Sequence, residues 1–403
     1  MKIYTCSSVG IDYFLFLGKT LRSCGFDVED VFLISEGEYR RRAKSKGLAK
    51  LVLRIRMYVV YPCLLFRKAR KAKKNDIFIV TSNTFYAPLI IKLLLRNKIR
   101  LINLVYDLFP DAIEVSGKIK SSSILSKFIG AITRKTLKCS DANVFLGELL
   151  KSLAIGRWGP DNKNIRKVIH ISSDYEFFED GFKSNSNTKS IVIHYGGQLG
   201  LMHDAPALVS FVQATINNYG SRNIEFSFNL SGSNAHLIES QCQHPKVSVK
   251  QAIGSSVWRE QIKNYDIGLV SLSPSGASVC LPSKTYAMMG GGLAILAICP
   301  IWSDLAELVL GLDAGWVVNN SMYNSLSEIP KDNFINEIGK YRSPAAISRD
   351  LKVLIDLLLT NKSLIETKRF NAYHRVREEY GMQKIAVDWK NLIEGVTDLT
   401  VAN

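Results

Sequence analysis

The sequence predicts an α/β protein of two domains, each built on a parallel sheet with crossover helices. Its 403 residues suit two domains of ordinary size, each able to bury a core of its own. Short runs rich in Val, Ile and Phe alternate with longer segments of helical period in both halves of the chain. The alternation is interrupted once, by the polar, aperiodic stretch Gly181 to Ser190, GFKSNSNTKS, which reads as a linker.

Taken in order, the first half offers strands at Lys2 to Thr5, Ile77 to Thr81, Leu101 to Tyr106, Ala142 to Leu146 and Lys167 to Ile171. After the linker the pattern restarts with Ile191 to His194, Ile224 to Leu230, Val247 to Val249, Ile267 to Ser271, Ala294 to Ile298 and Trp316 to Val318. A long charged helical stretch, Leu364 to Glu394, closes the chain and is broken near Gly381. The expected domains are residues 1–182, residues 188–363 and a helical tail, residues 364–403. Open sheets of this kind bind ligands beyond the C-terminal ends of their strands, so the loops that follow the strands are where chemistry is expected.

Composition excludes several classes. Apolar residues make up 47% and charged residues 22%, with no low-complexity tract or solenoid repeat, which sets disorder aside. Seven cysteines, Cys6, Cys24, Cys63, Cys139, Cys242, Cys280 and Cys299, lie without CxxC or Cys/His metal spacing and read as reduced thiols in a cytoplasm. The first apolar run, Tyr13 to Leu17, is too short for a signal peptide, and no stretch reaches the roughly 18 to 20 apolar residues that span a bilayer. Net charge is +16, and Arg40 to Lys74 alone holds fourteen Lys and Arg with no Asp or Glu.

The segment Asp266 to Ile298, DIGLVSLSPSGASVCLPSKTYAMMGGGLAILAI, carries the most chemistry. A buried strand runs into a small-residue loop, Pro282-Ser283-Lys284 opens a helix, and a glycine triplet leads to the next strand. Free N–H groups at a helix start favour anions, and Lys284 adds a mobile positive charge suited to a diphosphate. Taken alone, Pro-Ser-Lys is also an ordinary helix start.

This segment resembles the donor-binding motif of family four glycosyltransferases, in particular the bacterial O-antigen and colanic-acid type subgroup, with Pro282, Ser283, Lys284, Tyr286 and Gly292 in register. The wider family holds the ribose with a Glu where this chain has Ala287. Ile193 to Asp204, IHYGGQLGLMHD, resembles the family's strand and glycine turn, and the resemblance implies that Gly196, Gly197 and Gly200 bring backbone N–H groups to the donor phosphates. Broader relatives place Arg and Lys near Gln198 and His203; here those charges are absent, which puts more of the diphosphate on Lys284, and on His203 if it is protonated. Ser231, Gly232 and Ile253, after the next two strands, complete the expected donor side. Trp302 to Val318 resembles a further family segment that places Asp304 at a helix start beside the donor; Asp304 as a plain N-cap is the equal alternative. In the first half, Val105 to Gly117, VYDLFPDAIEVSG, resembles the subgroup's segment near the transferred sugar, with Tyr106 where many relatives have His. Asp107 and Asp111 are expected to be exposed by the Pro110 turn, and Asp107, Tyr106 and His203 form the expected catalytic set. Ser8 and Gly10 are read as structural, with the acceptor side as their other role.

The resemblance implies the GT-B architecture: two Rossmann-like domains facing a cleft, with the C-terminal helix crossing back to the first. It implies transfer of a sugar from a nucleoside diphosphate sugar, UDP-linked, to a lipid-linked or saccharide acceptor in surface polysaccharide synthesis, with retention of configuration and no metal or other cofactor. Two alternatives stay open: a GT-B pair that binds without turnover, motivated by Ala287, Gln198 and Tyr106, and a nucleotide-sugar epimerase.

The basic segment has its own reading. Leu48, Leu51, Val52, Ile55 and Val59 share one helical face, with Lys50, Arg54 and Arg56 around it, as suits an anionic lipid surface at the inner membrane. A solvated basic face is the alternative. No zinc site, helix-turn-helix or RNA-binding signature accompanies the charge, so nucleic acid is not the expected partner.

Overall fold

The computed structural model describes residues 1–43, 47–95, 98–159, 164–178, 180–184, 190–219, 223–330 and 334–398. Part of the expected linker, 185–189, and part of the basic segment, 44–46, lie outside the described residues. The chain forms two compact units, Met1–Ser173 with Met382–Asn403, and Asp174–Gly381.

The first unit is a six-stranded parallel sheet: β1 Lys2–Cys6, β2 Asp27–Val31, β3 Ile77–Thr81, β4 Arg100–Val105, β5 Ala142–Phe145 and β6 Ile165–Val168, in the order β2-β1-β3-β4-β5-β6. The central β3, IFIVT, is buried at every residue, as a parallel strand covered on both faces must be. The strand that sequence pattern missed is β2, DVEDV, whose charges suit an edge. They are held individually: Glu29 pairs with Lys2 and Lys68, and Asp30 with Arg22 and the Thr5 hydroxyl. Order in this sheet reverses between β1 and β3, and Asn83 beyond β3 donates to Ser7 Oγ beyond β1 at 3.3 Å.

The second unit repeats the architecture with β7 Ile191–Gln198, β8 Ile224–Ser231, β9 Val247–Gln251, β10 Ile267–Ser271, β11 Ala294–Ile298 and β12 Gly315–Val318, all parallel, in the order β9-β8-β7-β10-β11-β12. All six strands fall where the periodicity places them, and β7 runs on through the glycines to Gln198. It pairs with β8 along its whole length, but with β10 only at Ile193 and His194. Beyond His194 the two strands part, which opens a crevice at the topological switch point.

The tail divides differently from expectation. The helix Lys362–Tyr380 belongs to the second unit, and only Met382–Asp398 packs in the first, against the helix Asp12–Ser23. The reason is a set of anchors: the buried Arg369 guanidinium donates to Gly292 O at 2.8 Å, Tyr373 Oη to Phe178 O at 3.1 Å, and Arg377 Nη2 to Gly290 O at 2.9 Å. The boundary before the linker also moves: Tyr175 and Phe178 pack on the glycine triplet, so the second unit starts at Asp174 rather than after residue 182.

Asp111 is not exposed. It opens the short helix Asp111–Val115 and is buried, accepting from Arg157 Nη1 at 2.6 Å and Trp158 Nε1 at 2.7 Å; the same guanidinium meets Glu114 at 2.6 Å. This pair of carboxylates ties the loop after β4 to the helix Glu148–Trp158. Replacing Arg157 by Met leaves two buried carboxylates without their cation, and urea unfolding is expected to show a loss of about 3–5 kcal/mol. A loss under about 1 kcal/mol, the range of exposed pairs, would make the network a surface feature.

Candidate functional site

In the second unit the site grows from the crevice between β7 and β10. Gly197 has φ +139°, where a side chain is rarely tolerated, and a Cβ there would lie 3.2 Å from Lys284 Cδ and 3.7 Å from its Nζ. Lys284, first residue of the helix Lys284–Gly290, therefore lies along the bare backbone of β7. Its ammonium sits 4.2 Å above the Trp258 ring, a cation–π distance. Trp258, on the helix Ser255–Ile262, is only 2% exposed, and its Nε1–H donates to His194 Nε2 at 2.9 Å. His194 stacks on Tyr265 at 4.4 Å, and burial, then the Lys284 charge, push its pKa down to about 3. The ring is neutral, as an acceptor must be.

Gly196 also carries a packing role. A Cβ at Gly196 would stand 2.2 Å from Trp258 Nε1 and 2.8 Å from His194 Nε2, so this glycine makes room for the indole. At Gly200 the backbone N–H donates to His203 Nδ1 at 3.2 Å, while His203 N–H returns to Gly200 O at 3.1 Å. His203 is not protonated, because burial drives its pKa down to about 4; with Nδ1 accepting, the proton is on Nε2. It offers a neutral N–H donor and no charge for a diphosphate. The next residue, Asp204, is buried and caps the helix Ala205–Tyr219 through Ala207 N–H at 3.1 Å.

The loop after β8 meets this turn. Gly232, φ +107°, brings the loop after β8 against Leu199 O, and Leu199 N–H donates to Ser231 O at 2.6 Å. Gln198 is exposed, and its carbonyl accepts from Tyr195 Oη at 3.0 Å. Ile253 is partly exposed in the loop after β9, next to Ala252, whose N–H donates to Leu230 O at 2.8 Å. Ser283 precedes the helix without a capping bond from its side chain. Asp304 is not the N-cap of its helix: Ser303 Oγ accepts from Ala306 N–H at 3.2 Å, and Asp304 occupies the first turn, within electrostatic reach of Tyr286. Ala287 is buried on its helix and offers no polar group to a ribose.

The first unit holds the other residues. Ser82 Oγ, at the end of β3, accepts the N–H groups of Tyr106 and Asp107 at 3.0 Å each and donates to Asp107 O at 2.9 Å, which fixes the turn after β4. Asp107 is partly exposed; among the described residues its carboxylate has no hydrogen-bond or ion-pair partner, and burial pushes its pKa up to about 6. Tyr39 and Tyr58 feel its charge. Tyr106 differs: its ring is buried edge-on against Tyr13 at 4.7 Å, and burial raises its pKa, so the phenol stays neutral and cannot serve as a base. Ser8 is fully buried with an unpartnered Oγ, and a Cβ at Gly10 would press on Phe32 at 2.8 Å. Trp258, His194 and Ser82 were not singled out from sequence. An isolated Trp in the polar run SSVWREQ was the available signal.

Among the described residues, no three His, Cys, Asp or Glu side chains converge to hold a metal ion, and no helix is long and apolar enough to cross a membrane.

The two-sheet architecture has close counterparts among solved structures. An α,α-trehalose-phosphate synthase (UDP-forming) from Burkholderia vietnamiensis superposes with TM-score 0.65 at 9% identity, covering 99% of each chain. The E. coli trehalose-6-phosphate enzyme bound with UDP-2-fluoro glucose gives 0.65 at 10% identity over 98% of this chain and 99% of that one. These are GT-B proteins, and the fold of this chain is GT-B. In sequence the chain is 22% identical over 298 residues, 69% of each protein, to a probable glycosyltransferase, WbjE, of Pseudomonas aeruginosa. No family model matches. The fold is therefore shared with these GT-B structures, and the sequence likeness is to a probable glycosyltransferase.

The tightest steric statement in the site is at Gly196. Gly196→Ala is expected to displace Trp258 from His194 and to cost about 1–3 kcal/mol in urea unfolding, the range for overpacking a core. Unchanged stability with an unperturbed indole N–H resonance would refute that packing.

Proposed function

We propose that the chain transfers a sugar from a nucleoside diphosphate sugar, UDP-linked, to a lipid-linked or saccharide acceptor in bacterial surface polysaccharide assembly, with retention and without a metal. The observation that carries the reading is the Lys284 side chain against Gly197 at the switch point of the second sheet. There an ammonium and a backbone without side chains offer a leaving diphosphate charge and close approach, and electrostatic help at the leaving group is the largest single contribution such a site makes. The order and register of the family four motifs, and a solved structure of the same GT-B fold bound with UDP-2-fluoro glucose, support the nucleotide.

The acceptor is assigned to the first unit through Asp107, which can take a proton from a hydroxyl above about pH 6. For the membrane, the support is an exposed apolar face: the helix Leu48–Ile55 and the π-helical turn Arg56–Val60 leave Leu48, Leu51, Ile55 and Val59 in solvent beside Lys50 and Arg54. Arg56 is instead occupied by Glu38 and Leu33 O. Ile124, Leu125 and Phe128, also exposed, lie in a stretch from Lys118 to Lys138 with six Lys and Arg and no acid. Both surfaces fit an anionic lipid headgroup layer, in keeping with work at the cytoplasmic face of the inner membrane.

Lys284→Ala is expected to weaken UDP binding by about 1.5–3 kcal/mol in calorimetry, the worth of a charge-assisted hydrogen bond, and an unchanged affinity removes Lys284 from the site. Asp107→Asn is expected to leave UDP affinity intact and lower turnover by about 10²–10⁴-fold, with loss of the limb on which wild-type activity falls as pH drops through about 6. Because burial raises this carboxyl's pKa in the fold, its ionisation opposes folding as pH rises through that window, so the Asn variant should melt no lower than wild type at neutral pH. Normal turnover would reduce Asp107 to a turn residue. Vesicles rich in anionic lipid should bind the protein and release it as salt rises, since such charges are screened over about 8 Å at physiological ionic strength; binding that ignores salt, or none at all, ends the membrane assignment.

A further inference from the structure

Beneath Lys284 lies a built support that no motif accounts for. Lys284 Nζ stands 4.2 Å from the centroid of the Trp258 ring, and the Trp258 indole N–H donates to His194 Nε2 at 2.9 Å. Since Nε2 accepts, the neutral His194 carries its proton on Nδ1, which faces Ser227 Oγ at 3.4 Å; Ser227 Oγ in turn donates to Tyr265 Oη at 3.2 Å. Tyr265 also stacks on the His194 ring at 4.4 Å, so the imidazole is fixed in plane and in tautomer. Trp258 and His194 are 2% and 0% exposed, and Gly196 is the residue whose missing side chain lets the indole in.

We propose that Trp258, oriented by His194, is a positioning residue of the donor site: its ring face holds the Lys284 ammonium over the Gly197 backbone, ready for the anionic diphosphate of a nucleotide. This rests on the reading that a nucleoside diphosphate binds there. The physical reason is entropy. A lysine side chain has four rotatable bonds and loses rotamer freedom when it engages an anion. A ring already under the ammonium restricts those rotamers before the ligand arrives, and the neutral His194 below it adds no competing charge.

A double-mutant cycle on the full chain, with UDP as the probe in calorimetry, tests this. Trp258→Leu in the wild-type background is expected to weaken UDP about five- to tenfold, the effect of losing one cation–π contact. Trp258→Phe keeps a ring and fills most of the space, and should weaken UDP by less than about threefold. In the Lys284→Ala background, Trp258→Leu should change UDP affinity no further. Equal weakening in both backgrounds overturns the proposal, because a residue that only supports the fold acts whether or not the lysine is present. No weakening from Trp258→Leu while Lys284→Ala weakens binding also overturns it, and leaves the donor-site reading standing. Unchanged affinity on Lys284→Ala alone defeats both. Should Trp258→Leu fail to fold in thermal melts, Trp258→Met in the same cycle decides, since it fills the cavity without a ring face; affinity equal to wild type would then overturn the proposal.

Discussion

Lys284 lies along the glycine backbone of β7 because several constraints meet at one place. A parallel sheet whose strand order reverses must leave two neighbouring strands without a shared connection, and here β7 and β10 separate after His194. The backbone at Gly197 takes a conformation open to glycine, which removes the side chain that would otherwise fill the gap. Trp258 rises from below, admitted by Gly196, and sets the height of the ammonium. Loosening any one of these changes where the positive charge sits, while the surrounding sheet keeps its register.

The first unit shows how neighbouring carboxylates on one turn acquire opposite work. Asp111 and Glu114 share Arg157 and bind the loop to the helix beneath it, which spends their charge on the fold. Asp107, held by Ser82 through its backbone alone, keeps its carboxylate without a partner among the described residues. An unpaired, partly buried carboxyl near neutrality costs stability, and such costs gather at sites that do chemistry.

Most of the fold was legible in the sequence because buried parallel strands announce themselves as short apolar runs: all six strands of the second sheet lie where the Val, Ile and Phe clusters fall. The acidic edge strand DVEDV escaped, since its support comes from scattered cations rather than from a hydrophobic pattern. In the site, Gly197 and Lys284, far apart in sequence, were expected together on motif order, and a side chain at Gly197 would meet that of Lys284. What could not be read was the state and surroundings of single groups. A histidine after a glycine turn suggests a cation, yet only burial and the Gly200 N–H reveal His203 as neutral. Pro110 suggested exposure for Asp111, whereas a guanidinium from the helix Glu148–Trp158 decides it. Trp258 was invisible for the same reason, because its partners come from another strand and another helix.

The central question is where the nucleotide sits. A crystal structure of the protein with UDP is the direct measurement. Diphosphate oxygens are expected within hydrogen-bonding distance of Lys284 Nζ and of the backbone N–H groups around Gly197, with the Trp258 ring still beneath the ammonium. A UDP molecule bound at well-defined density elsewhere in the protein, with Lys284 and Gly197 untouched, would overturn this placement.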